Sequence, residues 1–146
     1  MIYICGVKYK RILLAEDDPL DAELTIQALK SVALNNDILH FKDGVELLDY
    51  LNNEDDHSPH EETALIITDI KMPRVDGITV LQTIRGNEKF DKVPVVVLSS
   101  SSQVSDVESC YSHHSNAFVI KPSGIDEFME SVRAIGLFWA TVNYTT

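Results

Sequence analysis

Five short apolar runs recur along the chain, the third and fourth of them rich in β-branched residues and not alternating with polar ones, and stretches of helical spacing separate them. A strand with one wet face alternates, whereas a continuous apolar run is buried on both faces, as in a parallel sheet covered by helices on each side. The runs are Arg11–Ala15, the weaker Ile38–Phe41, 64–69, 94–99 and Ala117–Ile120. Strands and helices alternating at these lengths imply right-handed crossovers. The fold class that follows is α/β: a doubly wound five-stranded parallel sheet with five helices.

The helices announce their own starts. Asp18-Pro19 supplies an N-cap and a proline at the first helical position, with Asp21 and Glu23 in the electropositive first turn. Ala22, Ile26, Leu29 and Ala33 give that helix its inward stripe. Asp43-Gly44 opens a second helix carrying Val45, Leu47, Leu48 and Leu51, and Asp76-Gly77 a third carrying Ile78, Leu81 and Ile84. Residues 52–62, polar and acidic with Pro59, read as a surface loop. A fourth helix is expected over 101–114, with Val104, Val107 and Tyr111 on one face. Residues 123–126 match a capping box with Asp in place of Glu, and open a last helix whose positions 125, 128, 132 and 135 face inward.

A chain of 146 residues at 45% hydrophobic supports one domain with one core. No apolar run approaches the roughly 20 residues of a membrane span. Lys8, Lys10 and Arg11 follow the first apolar stretch instead of preceding it, and no small-residue cleavage site appears, which argues against a signal peptide and for the cytoplasm. Cys5 and Cys110 form no framework spacing and fit a reducing compartment. The net charge of −11 disfavours direct nucleic-acid binding.

In open parallel sheets the chemistry lies beyond the carboxyl ends of the strands. Here those ends carry Glu16-Asp17-Asp18, Asp69, Ser99-Ser100 and Lys121. The first and third strands flank the switch point, so Glu16, Asp17 and Asp69 are expected to converge. Carboxylates so crowded raise one another's pKa unless a cation joins them. Mg²⁺ suits the set, because it takes one or two protein carboxylates and leaves positions for phosphate oxygens. No His or Cys accompanies the cluster, which weighs against zinc. With Mg²⁺ bound, Asp69 can act as a nucleophile toward a phosphoryl group whose oxygens Mg²⁺, the Lys121 ammonium and the Ser99 hydroxyl would neutralise.

LLAEDDP, TDIKMP followed by Asp76-Gly77, PVVVLSS and FVIKP resemble, in order and spacing, the motifs of two-component response-regulator receiver domains. The likeness covers about residues 10–135 and implies a flavodoxin-like receiver domain over 11–136 with strand order 2-1-3-4-5. An N-terminal extension over 1–10 and a C-terminal helix extension over 137–146 flank it. The resemblance implies that Asp69 is the phospho-acceptor, that Asp17 binds Mg²⁺ directly, that Glu16 acts through a water and that the backbone carbonyl of Lys71 is a further ligand. It also implies that Ser99 and Phe118 form a switch pair, that the Lys121-Pro122 bond is cis, and that the protein catalyses its own phosphorylation and dephosphorylation. The implied partner is a sensor histidine kinase. Ser99 stands where Thr is more usual and Phe118 where Tyr is frequent. EDDPLDAELT near the start and the terminal FW-x-T-V stretch look like the small regulators that serve phytochrome-type histidine kinases. Little chain is left for a DNA-binding output domain, so action as a single domain is expected.

Other readings stand beside this one. A Mg²⁺-dependent phosphohydrolase of the haloacid-dehalogenase type would share the nucleophile, metal and Lys. It usually needs an acidic residue two positions after the nucleophile, where Lys71 stands. A flavodoxin-like binding module would need a phosphate-cradling loop after the first strand, where acids stand instead. Phe138 and Trp139 either cover the core or join a homodimer or kinase contact. Cys110, His113 and His114 resemble a metal cluster only superficially. His57 and His60 read as exposed, and Glu54-Asp55-Asp56 as a solvated face.

Overall fold

The computed structural model describes residues 3–4, 7–8, 10–33, 35–53 and 58–142. Two short strands, β1 (Tyr3–Ile4) and β2 (Val7–Lys8), pair antiparallel within the N-terminal extension. The main sheet follows, formed by β3 (Arg11–Ala15), β4 (Ile38–Phe41), β5 (Thr63–Thr68), β6 (Val95–Ser99) and β7 (Ala117–Ile120). All its pairings are parallel and its order is β4-β3-β5-β6-β7, which is the expected 2-1-3-4-5. The helices are α1 (Pro19–Val32), α2 (Gly44–Asn52), α3 (Pro59–Glu62), α4 (Gly77–Arg85), α5 (Val104–Ser112) and α6 (Ile125–Ile135).

Alternate residues of each central strand feed opposite layers, which is why the runs are continuously apolar. Leu13, Ala15, Ile66, Val95 and Val97 meet Leu47 and Leu51 of α2, Val80, Leu81 and Ile84 of α4, and Cys110 of α5. Ile12, Leu14, Leu65, Ile67, Val96 and Leu98 meet Ala28 and Leu29 of α1 and Phe128, Val132 and Ile135 of α6. Asp18 caps its helix as expected, and Asp43 and Asp76 cap theirs in the same way, each accepting a backbone N–H at the third position beyond it. These caps fix where each helix begins relative to the strand end before it.

The structure corrects several local expectations. Residues 59–62 form a helix with Pro59 buried at its start, so the polar stretch is not all loop. His60 is half-buried and packs edge-on against Phe90, because α3 turns it toward the core. Glu54-Asp55-Asp56, His57 and Cys5 lie outside the described residues. The capping box at 123–126 does not form: Gly124 is the cap and no side chain closes it. Ile125, the first residue of α6, is mostly exposed, and the helix meets the core from Phe128 onward. Helix α5 is shorter than 101–114 and buries Cys110, while Val104 and Tyr111 face outward. On α1, Thr25 and Ala28 are buried more deeply than Ile26. The last helix continues into wider, π-type turns over Gly136–Val142, and 143–146 lie outside the described residues. Gly136 sits there against α1, where a Cβ would come within 2.9 Å of Leu29 Cδ2.

Candidate functional site

The site is built at the carboxyl ends of β3, β5, β6 and β7. Backbone pairing sets its floor: Asp69 N–H donates to the Ala15 carbonyl at 3.1 Å, and Lys121 N–H donates to the Ser99 carbonyl at 2.8 Å. Sheet register therefore brings residues far apart in sequence to adjacent rungs. One carboxylate oxygen from each of Glu16, Asp17 and Asp69 lies within 4.8 Å of the others. Glu16 and Asp69 are buried and Asp17 is exposed, so the cluster has a closed floor and an open mouth.

Lys121 reaches into this cluster with a side chain only 7% exposed. Its ammonium donates to Glu16 Oε1 at 2.6 Å, to Asp69 Oδ2 at 2.8 Å and to Asp21 Oδ2 at 2.9 Å. Burial opposes the charge, but the hydrogen bonds to Asp69, Glu16 and Asp21 outweigh it and hold the ammonium pKa above its usual value. Burial works the other way on Glu16, pushing its carboxyl up to about 7, with Lys121 opposing the rise and Asp69 adding to it. One ammonium cannot neutralise a buried crowd of carboxylates, and the surplus negative charge is what a hard divalent cation would take up. The oxygen-only donor set fits such a cation.

The loop after β5 is fixed by its own backbone. Asp69 Oδ1 accepts the Ile70 N–H at 2.6 Å, and Thr68 Oγ1 donates to the Asp69 carbonyl at 2.9 Å. Gly77 N–H donates to the Ile70 carbonyl at 2.7 Å, and a Cβ on Gly77 would strike the Asp69 carbonyl oxygen. Only glycine lets α4 start so close to the acceptor. Between them, Arg74 adopts a left-handed φ of 67° within a tight turn closed by Val75 N–H to the Pro73 carbonyl. Its guanidinium donates to Asp43 Oδ2 at 2.6 Å, tying this loop to the cap of α2. The bond from Glu46 N–H, with Arg74 beside it, holds the Asp43 carboxyl below its usual pKa.

The structure thus joins Glu16, Asp17, Asp69 and Lys121 as expected from the strand ends. Ser99 is buried at the end of β6, its Oγ accepting the Ser101 N–H at 3.2 Å. Phe118 is half-buried on β7 and packs against the α4–α5 side of the core. Lys71 follows two residues after Asp69 with its side chain exposed. Trp139 packs partly buried against the α1–α6 side of the core, and Phe138 meets its ring edge-on while half exposed. Cys110 is buried, which pushes its thiol up to about 11, and His113 Nδ1 bonds the Ser109 carbonyl at 2.7 Å. No cis peptide occurs among the described residues, so the expected cis Lys121-Pro122 bond is corrected; Lys121 meets its three acceptors across a trans backbone.

Two residues were missed in the sequence. Asp21 reads there only as a first-turn acid satisfying the α1 dipole; its neighbour Lys121 is distant in sequence. His40, an exposed strand residue, bonds the Glu16 carbonyl through Nε2 at 2.8 Å; the carbonyl only accepts, so Nε2 carries the proton. No local pattern signals either contact.

A doubly wound parallel sheet with an acidic cleft and an invading lysine at its carboxyl edge defines a class of protein that the comparisons identify. The chain belongs to the response regulator receiver domain family, which it matches over residues 12–133. It is similar to response regulator Rcp1 of Synechocystis sp., with 30% identity over 130 residues, 89% of this chain and 88% of Rcp1. Among solved structures it resembles that of the phosphorylated cyanobacterial phytochrome response regulator RcpA. The TM-score is 0.87 at 29% identity, covering 94% of this chain and 99% of that one. It also resembles the Mn²⁺-bound form of response regulator Rcp1, with TM-score 0.82 at 28% identity and the same two coverages. These likenesses favour a signalling receiver over the phosphohydrolase alternative. No described helix is long and apolar enough to cross a membrane.

Proposed function

We propose that Asp69 is the phospho-acceptor of this receiver domain and that a sensor histidine kinase of the phytochrome type supplies the phosphoryl group. The observation that carries this reading is the Lys121 ammonium, 2.8 Å from Asp69 Oδ2 within an acidic cluster open on one side. A carboxylate oxygen of Asp69 attacks the phosphorus of a phosphohistidine. The new O–P bond forms as the P–N bond breaks, and the released imidazole takes up a proton. Lys121 then turns one N–H from the carboxylate to a phosphoryl oxygen, and the Ser99 hydroxyl, reoriented from Ser101, takes another. Phe118 moves into the space that Ser99 vacates and carries the change to the α5–β7 surface. Hydrolysis at the same residue resets the switch.

Mg²⁺ is the cation this reading assigns, held by Asp17, Asp69 and the Lys71 carbonyl with Glu16 acting through water; it supplies neutralisation of the phosphoryl charge. Support comes from the all-oxygen donor set and from the Mn²⁺-bound relative. The protein acts in the cytoplasm without touching nucleic acid, in keeping with its charge of −11.

Beryllofluoride with Mg²⁺ mimics the phosphoryl group, so it should perturb the amide NMR spectrum of the wild type around Ser99 and Phe118. Asp69→Asn should fold normally and give no response; equal responses in both proteins would sink the assignment. The half-exposed Phe138 beside Trp139 supports a homodimer through the C-terminal region. Phe138→Ala should then lower the sedimentation coefficient of the assembly while leaving thermal stability within about 0.5 kcal/mol. A wild type that sediments as a monomer at all concentrations would remove this part.

A further inference from the structure

Three carboxylates share the Lys121 ammonium, and two of them are accounted for by the acceptor site. The third, Asp21, comes from the first turn of α1 and lies 2.9 Å from Nζ. An ammonium has three N–H donors, and in this arrangement all three are taken. A phosphoryl oxygen arriving on Asp69 must therefore displace one of these bonds. On phosphorylation the Asp69 carboxylate becomes the neutral acyl part of an aspartyl phosphate and the negative charge passes to the phosphoryl oxygens, so the pull on Lys121 turns toward them while Asp21 pulls it back toward α1. Asp21 is also the most solvent-accessible of the three, with a side chain 30% exposed against 3% for Glu16 and 10% for Asp69.

We infer that Asp21 is a positioning residue that holds Lys121 on the α1 side of the cleft and so sets how strongly the site takes an anionic phosphoryl group. Two effects act in the same direction. The Asp21 carboxylate competes for the donor that the incoming anion needs, and its charge opposes the approach of another anion at short range. Removing the charge while keeping the shape frees Lys121 for the phosphoryl group. The α1 backbone does not depend on this side chain. Asp18 caps the Asp21 N–H and Thr25 Oγ1 binds the Asp21 carbonyl, so substitution leaves the helix start intact. The assignment rests on Asp69 being the phospho-acceptor, and the experiment separates the two.

The apparent dissociation constant of beryllofluoride at saturating Mg²⁺ is measured for the wild type, Asp21→Asn and Glu23→Gln, with thermal melting as a check on folding. Glu23 is exposed on the same helix and has no bond to Lys121 among the described contacts, so Glu23→Gln controls for net charge. Asp21→Asn is expected to tighten binding about three- to tenfold, and Glu23→Gln to change it by less than about twofold. Binding that is unchanged or weaker in Asp21→Asn overturns the inference, as does equal tightening in both variants. A wild type that binds no beryllofluoride overturns the phospho-acceptor reading itself, and this inference with it.

Discussion

Glu16 illustrates how one buried side chain can make a protein's stability depend on its ligand. Its carboxyl is raised from an ordinary 4.5 to about 7, chiefly by burial. The folded state therefore holds a proton that the unfolded chain releases earlier. The stabilising contribution is complete below pH 4.5 and is lost as pH rises through about 7. A cation needs the deprotonated form, so metal binding runs against this loss. The difference in melting temperature between Mg²⁺ and a chelator should therefore widen from pH 5.5 to pH 8. A gap that stays constant or narrows would overturn this coupling between Glu16 and the cation.

Arg85, at the end of α4, joins elements that the sheet alone does not hold together. Its Nε donates to the His114 carbonyl, Nη1 to the carbonyls of Phe90 and Val93, and Nη2 to Asn116 Oδ1. Asn116 Oδ1 also accepts the Val95 N–H, so one guanidinium clasps α4, the start of β6 and the α5–β7 connection. Burial lowers its pKa, and no carboxylate meets it within hydrogen-bond distance among the described contacts. A rigid planar fork can fill these acceptors at once and a lysine cannot. Arg85→Lys should destabilise the fold by about 2 kcal/mol, seen as a lower denaturant midpoint with an unchanged slope. Loss below about 0.5 kcal/mol would mean that water replaces the fork without penalty. The C-terminal segment is an element of a different kind. Trp139 covers the α1–α6 side of the core while Phe138 stays half exposed, so the two adjacent aromatics serve different surfaces.

Across the whole molecule, a net charge of −11 with buried acids at the sheet edge makes self-repulsion the larger electrostatic force. Exposed pairs such as Lys42–Glu46, 3.9 Å apart, contribute little against it. In the absence of divalent cations, raising NaCl from about 10 mM to about 300 mM should raise the melting temperature, since screening shortens the range of repulsion to a few ångströms. A falling melting temperature would show that attractive pairs dominate. The continuous apolar runs, the caps at Asp18, Asp43 and Asp76, and the placement of Glu16, Asp17, Asp69 and Lys121 at strand ends could all be read from the chain. Each is set by a local pattern together with one topological rule. The helical α3, the outward Val104 and Tyr111, the Arg85 clasp and the meeting of Asp21 and His40 with the cleft could not. These depend on which groups three-dimensional packing brings within about 3 Å of one another across long sequence separations, and no local propensity encodes that. The sequence by itself determined where the reacting groups stand along the chain; the tertiary structure alone decided which neighbours share their charge.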